Sequence, residues 1–189
     1  AIISCEAYSK GQSMILTLTT TANTLNSPLV SILIRSTDRE TLQQTLNSVA
    51  AQSYDAIEVW VVAAKADHQP VPNQIGRFPL HFAVTTEALR RSQAANKALG
   101  LARGERILFL DDDDWITPTH VEVLIQALND NPTYKAAYSQ AQAVDATGHD
   151  LPEGLIGLPY DRSKLLSGNF IVMHSVLFDV ALREQGCCF

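Results

Sequence analysis

The chain has 189 residues, of which 46% are hydrophobic and 18% charged, and its formal net charge at pH 7 is −6. This length suits one packed domain, and this composition excludes a disordered chain. The negative charge argues against a general nucleic-acid-binding protein, which normally presents a basic face. A small anionic ligand is still compatible with it, because a few local cations can reverse the sign at one site.

Targeting and redox signals are weak in this sequence. No apolar run reaches the roughly 18 to 20 residues that cross a bilayer, and no cationic segment followed by an apolar core marks a secretory signal. The three cysteines, Cys5, Cys187 and Cys188, make a poor disulfide framework or zinc site, because the count is odd and two are adjacent. We therefore expect a cytoplasmic protein.

The chain divides at Pro28 by composition. Residues 1–27 are rich in Ser and Thr and lack periodicity, which predicts an N-terminal tail or linker, and one domain is expected over residues 28–189. Short β-branched or apolar runs predict strands, and apolar stripes at helical spacing predict helices. The strands are predicted at 29–34, 57–62, 80–84, 107–110, 136–144 and 170–173, and the helices at 42–49, 94–102, 118–128 and 176–184.

Strands that alternate with helices predict an α/β fold, with a mostly parallel sheet flanked by helices. In such sheets ligands bind beyond the carboxyl ends of the strands. Three polar loops, at residues 35–39, 63–67 and 111–115, follow predicted strands and so fall at that edge. Gly104 is a predicted helix cap, and Thr117 with Pro118 is predicted to open the next helix.

The most informative feature is the run of four aspartates at residues 111–114, directly after a predicted buried strand. Adjacent carboxylates repel one another, and a hard divalent cation such as Mg²⁺ or Mn²⁺ relieves that repulsion. In an extended segment Asp111 and Asp113 share one side, and Asp112 and Asp114 share the other. A metal held by Asp111 and Asp113 would bridge two phosphates. The alternative is a solvated acidic loop that favours the positive end of the following helix.

Several sequence blocks follow one another in a recognisable order. They are VSILIRSTDR at 30–39, TLNSVAAQSY at 45–54, and AANKALGLARGE at 94–105 leading into FLDDDD at 109–114, with looser matches at 138–148 and 169–189. Together they resemble the family 2 glycosyltransferases of the Rossmann-like GT-A fold. The most specific match is residues 94–114, in which an Asn-bearing helix and a Gly-Glu turn lead into an acidic strand end.

This resemblance implies transfer of a sugar from a UDP- or GDP-type donor, with inversion and with Mn²⁺ or Mg²⁺ as cofactor. Asp111 and Asp113 would then form the Asp-x-Asp metal motif, with Asp113 the direct ligand. The nucleotide-binding set implied in this way places a loop against base and ribose and further side chains toward the diphosphate. It comprises Arg35, Ser36, Thr37, Asp38, Arg91, Asn96, Asp111 and Asp112.

The sequence departs from the family in three places. The first loop reads Arg35-Ser36-Thr37-Asp38 where the family usually has Pro-Thr-Tyr-Asn, and Ala63-Ala64 stand where an acidic pair usually follows the second strand. Asp67 is a substitute for that pair in one interpretation. The family's general base comes from an acidic motif that we expect beyond Phe189, so we interpret the chain as the nucleotide-sugar-binding part of a longer enzyme, with an incomplete acceptor region.

Other functions remain open at this point. A transferase-like module that binds a nucleotide-sugar or a partner protein without turnover is the main alternative, and a nucleotidyltransferase is a third. His174 either faces the acceptor or is a hydrogen-bonded structural histidine, and His68 is expected at the surface or on a strand. By resemblance the acceptor is a saccharide or a lipid-linked molecule in glycoconjugate assembly, which would place the protein in the cytoplasm, alone or at the inner membrane face.

Overall fold

The structure is a computed structural model that describes residues 2–3, 27–145, 147–186 and 189. Strands and helices alternate through most of it, as predicted. The strands are β1 (Ile2–Ile3), β2 (Val30–Ser36), β3 (Ile57–Ala63), β4 (Gln74–Ile75), β5 (Phe78–Ala83), β6 (Arg106–Asp111), β7 (Trp115–Ile116), β8 (Ala136–Tyr138), β9 (Ala141–Val144), β10 (Asp150–Ile156) and β11 (Val176–Asp179). The helices are α1 (Leu42–Ala50), α2 (Arg91–Leu101), α3 (His120–Asp130), α4 (Arg162–Ser167) and α5 (Ala181–Glu184).

A seven-stranded sheet with the order β4-β5-β3-β2-β6-β11-β8 forms the centre of the fold. Strands β5, β3, β2 and β6 run parallel, whereas β4, β11 and β8 pair antiparallel with their neighbours. The predicted α/β fold with a mostly parallel sheet is therefore confirmed. Because β2 lies between β3 and β6, the carboxyl ends of these three strands meet at one edge.

Helices cover both faces of this sheet, and alternation along the strands assigns side chains to each face. Ile32 and Ile34 pack with α1 and α3 in one fully buried cluster, while Leu33 packs on the opposite face with α2. Each fully buried side chain of this kind contributes about 1.5–3 kcal/mol. On the α2 side the contacts come from small residues, Ala94, Ala95 and Ala98, which let the helix approach the sheet closely.

A second, four-stranded sheet with the order β10-β9-β1-β7 lies beside the main one. Its strand β1 comes from the predicted N-terminal tail and pairs parallel with β7 and antiparallel with β9. Residues 4–26 of that tail lie outside the described residues. Strand β7 follows the acidic run directly, so this small sheet supports the segment just after residues 111–114.

Two predicted elements near the end of the chain were wrong. Residues 170–173, predicted as a strand, lead into a 3₁₀ turn at Met173–Ser175, and the predicted helix at 176–184 is split into β11 and the short α5. Leu177 is fully buried between β6 and β8, and this packing selects the strand. Short apolar runs do not distinguish a strand from a helix by periodicity, so tertiary pairing decided.

Three smaller boundaries also differ from the prediction. The single strand predicted at 136–144 is divided into β8 and β9, which belong to different sheets. Helix α3 begins at His120 because the carbonyls of Thr117 and Pro118 accept hydrogen bonds from Gln52 and Ser53 and hold that segment as a turn. Gly104 is not a helix cap, since α2 ends at Leu101. Within the described ranges, no helix is both long and apolar enough to cross a bilayer.

Candidate functional site

The acidic run forms a turn at the carboxyl end of β6. The backbone N–H of Asp114 donates to the carbonyl of Asp111 at 3.1 Å, which closes the turn. Carboxylate oxygens of Asp111, Asp113 and Asp114 then lie within 4.8 Å of one another. The predicted proximity of Asp111 and Asp113 is thus present, but the prediction that Asp114 shares a side with Asp112 was wrong, because the chain turns where an extended segment was assumed.

Asp112 points in the opposite direction, into the protein. It is 3% exposed, and its Oδ2 accepts hydrogen bonds from Oγ of Ser36 at 2.9 Å and from the N–H of Thr37 at 2.7 Å. Its backbone carbonyl accepts from Oγ1 of Thr41 at 2.7 Å. Asp112 therefore fixes the loop after β2 against the acidic turn. Its predicted contact with a nucleotide stays a prediction.

Three arginines surround the acidic turn. Nε of Arg35 donates to Oδ1 of Asp111 at 3.0 Å, Nη2 of Arg35 donates to the same oxygen, and Nη2 of Arg91 donates to Oδ2 of Asp111 at 3.1 Å. Arg39 pairs with Oδ2 of Asp113. The Arg35 side chain is 8% exposed, against 50% for Arg39 and 80% for Arg91. The arginines therefore reduce the repulsion among the carboxylates without a metal. The sequence analysis did not predict these ion pairs.

His174 completes the acidic end of the site. Its Nδ1 lies 2.8 Å from Oδ2 of Asp114, and both side chains are mostly buried. Burial raises the pKa of Asp114, but the hydrogen bond and the positive charge of His174 act against it, and the pKa lies below its ordinary value of 3.8. His174 is therefore hydrogen-bonded, and its position facing the acceptor stays a prediction.

The loop after β3 supports the loop after β2 from behind. Asp38 has a φ of 65°, in the left-handed region, and its Oδ2 lies 3.2 Å from the N–H of Gln69 and 3.3 Å from Nζ of Lys65. Nε2 of His68 lies 2.7 Å from Oγ of Ser36. His68 was expected at the surface or on a strand, but its side chain is only 1% exposed because it fills the space under Ser36.

The same loop does not supply an acidic group to the cleft. Asp67, the suggested substitute for the missing acidic pair, is 86% exposed and lies 3.9 Å from Nζ of Lys65. The wall of the cleft at that position is formed by Ala64. The cleft therefore presents a small apolar surface at the position where the resemblance described above leads one to expect an acidic pair.

A cleft of about 140 Å³ opens between these loops and the start of α2. This volume is smaller than the roughly 300–1,000 Å³ of most small-molecule sites, and the side chains of Arg35, Arg39 and Arg91 are part of its lining. Its lining includes most of the predicted loop and acidic residues. The lining residues are Arg35, Thr37, Arg39, Ala64, Leu89, Arg91, Ala94, Asp111, Asp112 and Asp113.

Three predicted residues lie outside this lining. Ser36 and Asp38 stabilise the loop from below, as described above. Asn96 pairs with the backbone of Phe189, whose N–H donates to Oδ1 at 2.9 Å and whose carbonyl accepts from Nδ2 at 2.6 Å. Sequence reasoning missed Arg39, although a second basic residue in the same loop as Arg35 was a usable signal for a pair of cations facing the acidic run.

The chain has recognisable relatives. Residues 31–182 match the family model described as "Glycosyl transferase family 2". The putative glycosyltransferase EpsH of Bacillus subtilis is 33% identical over 144 residues, which cover 74% of this chain and 42% of EpsH. An uncharacterized protein, y4gI of Sinorhizobium fredii, is 29% identical over 178 residues, which cover 85% of this chain and 18% of y4gI. The chain thus spans less than half the length of these relatives.

Solved structures share the fold. Residues 1–349 of S. aureus TarS, in complex with UDP, match with a TM-score of 0.64 and 21% identity, over 85% of this chain and 50% of that 1–349 chain. The mannosyltransferase PcManGT from Pyrobaculum calidifontis, in complex with GDP-Man and Mn²⁺, matches with a TM-score of 0.59 and 18% identity, over 87% of this chain and 48% of PcManGT. At these identities the likeness establishes a common fold.

Proposed function

Because the chain belongs to glycosyl transferase family 2, we propose that it is the nucleotide-sugar-binding part of an enzyme that moves a sugar from a nucleoside diphosphate to an acceptor hydroxyl, with inversion. One observation carries this proposal. The acidic turn gathers the carboxylates of Asp111, Asp113 and Asp114 within 4.8 Å of one another, at the edge of the sheet where α/β proteins bind ligands.

A divalent cation fits this donor set. Carboxylate oxygens are the ligands that Mg²⁺ and Mn²⁺ prefer, and Mg²⁺ usually takes one or two of them from protein and the rest from phosphate and water. Asp113, which is 47% exposed, and Asp111 would hold the ion. When bound, the ion supplies positive charge that neutralises the leaving diphosphate. Mn²⁺ in the PcManGT structure supports this proposal.

The remaining roles follow from position. Arg91 lines the cleft beside Asp111 and is suited to phosphate oxygens. Thr37, in the loop that Asp112 holds, lines the cleft and would face the base and ribose. In an inverting transfer the acceptor oxygen attacks the anomeric carbon opposite the diphosphate, the bond to the diphosphate breaks, and a general base takes the hydroxyl proton. That base stays a prediction for residues beyond Phe189.

Donor, acceptor and location are proposed at the level of class. Structures of the same fold hold UDP, UDP-GlcNAc and GDP-Man, which supports a UDP- or GDP-type sugar here. For the acceptor we propose a saccharide or a lipid-linked molecule in glycoconjugate assembly. The transfer would take place in the cytoplasm or at the inner membrane face.

A second candidate is the module that binds a nucleotide-sugar or a partner without turnover. Two observations favour it: both oxygens of Asp111 already accept hydrogen bonds from arginines, and Ala64 lies where the family usually has an acidic residue. Both features weaken a conventional donor site.

Calorimetric titration with UDP and GDP, each with and without Mn²⁺, tests the proposal. We expect Mn²⁺-dependent binding that Asp113→Ala abolishes. Asp55→Ala is the matched control, because Asp55 is 89% exposed and precedes β3, at the opposite edge of the sheet. No binding of either nucleotide under any condition would favour a module that binds a partner protein. Metal-independent binding that Asp113→Ala leaves intact would favour a silent nucleotide-binding module.

A further inference from the structure

Arg35 and Asp111 are direct neighbours in the sheet. They are register partners in the parallel pair β2 and β6, each near the carboxyl end of its strand. Their side chains meet in the wall of the cleft, where Arg35 is 8% exposed. A guanidinium this deeply buried requires a counter-charge, because water screens it little. In the described structure that counter-charge is Asp111.

Asp111 has little capacity left for a cation. A carboxylate offers about four lone-pair positions. Oδ1 accepts two hydrogen bonds from Arg35, and Oδ2 accepts one from Arg91. A divalent ion bound to Asp111 would thus lie close to two guanidinium groups and would compete with them for the same oxygens.

We propose that Arg35 exchanges partners when the donor binds, releasing Asp111 to the metal and taking non-bridging oxygens of the diphosphate. This inference rests on the proposed function and assigns Arg35 to the diphosphate, whereas the family resemblance assigned its loop to base and ribose. The guanidinium fork matches phosphate geometry, and Arg35 already lines the cleft.

The exchange couples the two ligands. A metal ion alone would take Asp111 and leave Arg35 buried without its counter-charge, so it binds weakly. A diphosphate alone would draw Arg35 away from Asp111 and leave that carboxylate beside the phosphates with no metal to neutralise it. Bound together, each ligand supplies the charge that the other needs, and linkage requires that each tighten the other by the same factor.

The test measures Mn²⁺ binding alone, by the electron spin resonance signal of free Mn²⁺, and UDP and GDP binding in saturating Mn²⁺, by calorimetry. In the wild-type chain we expect nucleotide to tighten Mn²⁺ binding by about tenfold or more. In Arg35→Gln we expect opposite changes: Mn²⁺ alone binds about tenfold tighter, nucleotide binds about tenfold weaker, and the mutual tightening shrinks toward onefold.

Controls separate this effect from misfolding. Because Arg35 is buried, its variant is checked by circular dichroism and thermal unfolding. Arg91→Gln, at a side chain that is 80% exposed on the other oxygen of Asp111, should also tighten Mn²⁺ binding and weaken nucleotide binding. Arg77→Gln, which removes a cation paired with Asp55 at the far edge of the sheet, should change neither.

The outcomes are distinguishable. If the wild-type chain binds nucleotide and neither arginine variant alters that binding, the partner exchange is overturned and the proposed function stands. The same conclusion follows if Mn²⁺ binding weakens in both variants. Absence of nucleotide binding in wild type overturns both. Opposite shifts of the two ligands in both variants support the exchange.

Discussion

The backbone N–H of Gly104 donates a hydrogen bond to Oγ of Ser31 at 2.8 Å, and that hydroxyl donates in turn to Glu58 at 2.6 Å. The contact joins the turn before β6 to the start of β2. A Cβ on Gly104 would lie 2.6 Å from the carbonyl of Leu29 and 2.7 Å from Oγ of Ser31. The Gly-Glu turn of the family resemblance therefore has a packing cause in this chain.

Replacement of Gly104 by alanine should lower the free energy of unfolding by about 1–3 kcal/mol, because the backbone of β2 cannot move away from the new methyl group. Gly100→Ala is the matched control, since Gly100 lies in α2 with no heavy atom within 4 Å of an added Cβ. It should be neutral or stabilise by roughly 0.5–1 kcal/mol. Urea unfolding measures the free energy of unfolding of both variants. An equal loss of stability in Gly104→Ala and Gly100→Ala would contradict the packing argument.

Stability should depend on pH through Glu58. Burial raises the pKa of this carboxyl, but hydrogen bonds from Ser31 and from the backbone and side chain of Arg103 outweigh it, so the pKa lies below 4.5. A carboxyl with a depressed folded pKa stabilises the protein above its unfolded pKa and loses that contribution as pH falls through the folded value. We expect the free energy of unfolding of the wild type to exceed that of Glu58→Gln clearly at about pH 7 and to approach it as the pH falls to about 3. If the free energies of unfolding of the two proteins differ by the same amount at every pH, Glu58 is not the source of the pH dependence.

Replacement by alanine should mainly lower stability at Asp112 and mainly remove nucleotide binding at Asp113. Asp112→Ala leaves the donors of Ser36 and Thr37 without their buried acceptor and should cost about 3 kcal/mol of stability. Asp113→Ala removes a half-exposed partner of Arg39 and should change stability by less than about 0.5 kcal/mol while abolishing Mn²⁺-dependent nucleotide binding. Thermal unfolding paired with calorimetry tests both, and a large stability loss in Asp113→Ala would contradict the division of roles.

His174 should act by positioning Asp114 beside the other two carboxylates. His174→Ala removes the hydrogen bond to Asp114 and should weaken Mn²⁺-dependent nucleotide binding by about 10- to 100-fold. His174→Asn places an amide donor near the position of Nδ1 and should restore much of that binding. If both variants bind like wild type, the histidine is structural only, and comparable losses in both would point to a role of the imidazole other than this one hydrogen bond.

The sequence predicted the main sheet and the place of the site, because both depend on local patterns. Short runs rich in β-branched residues mark β2 and β3 as buried strands, and both are buried along nearly their whole length. Four aspartates directly after β6 mark the ligand edge. The contacts inside the site depend on pairings between distant segments. Arg35 meets Asp111 only because β2 and β6 pair in one particular register, and no pattern in either strand specifies that register.

The same limit explains the remaining differences. His174 reaches Asp114 because β11 pairs antiparallel with β6, so the residues entering one strand lie beside those leaving the other. The sequence interpretation placed a helix over β11 and so could not bring these residues together. His68 was assigned by its polarity to the surface or a strand, yet the space under Ser36 exists only after the loops that follow β2 and β3 have met.

The position of β11 has a consequence for the order of folding during synthesis. Among the described strands, β8 is bonded to the main sheet only through β11, so residues 136–138 wait for residues 176–179 to leave the ribosome. His174 lies two residues before β11, so the acidic turn gains its contact with this histidine in the same step. A ribosome-bound chain that stops before residue 174 would hold strands β2 to β6 and an acidic turn without its His174 contact, so we expect it to bind ligand more weakly than a chain that includes β11.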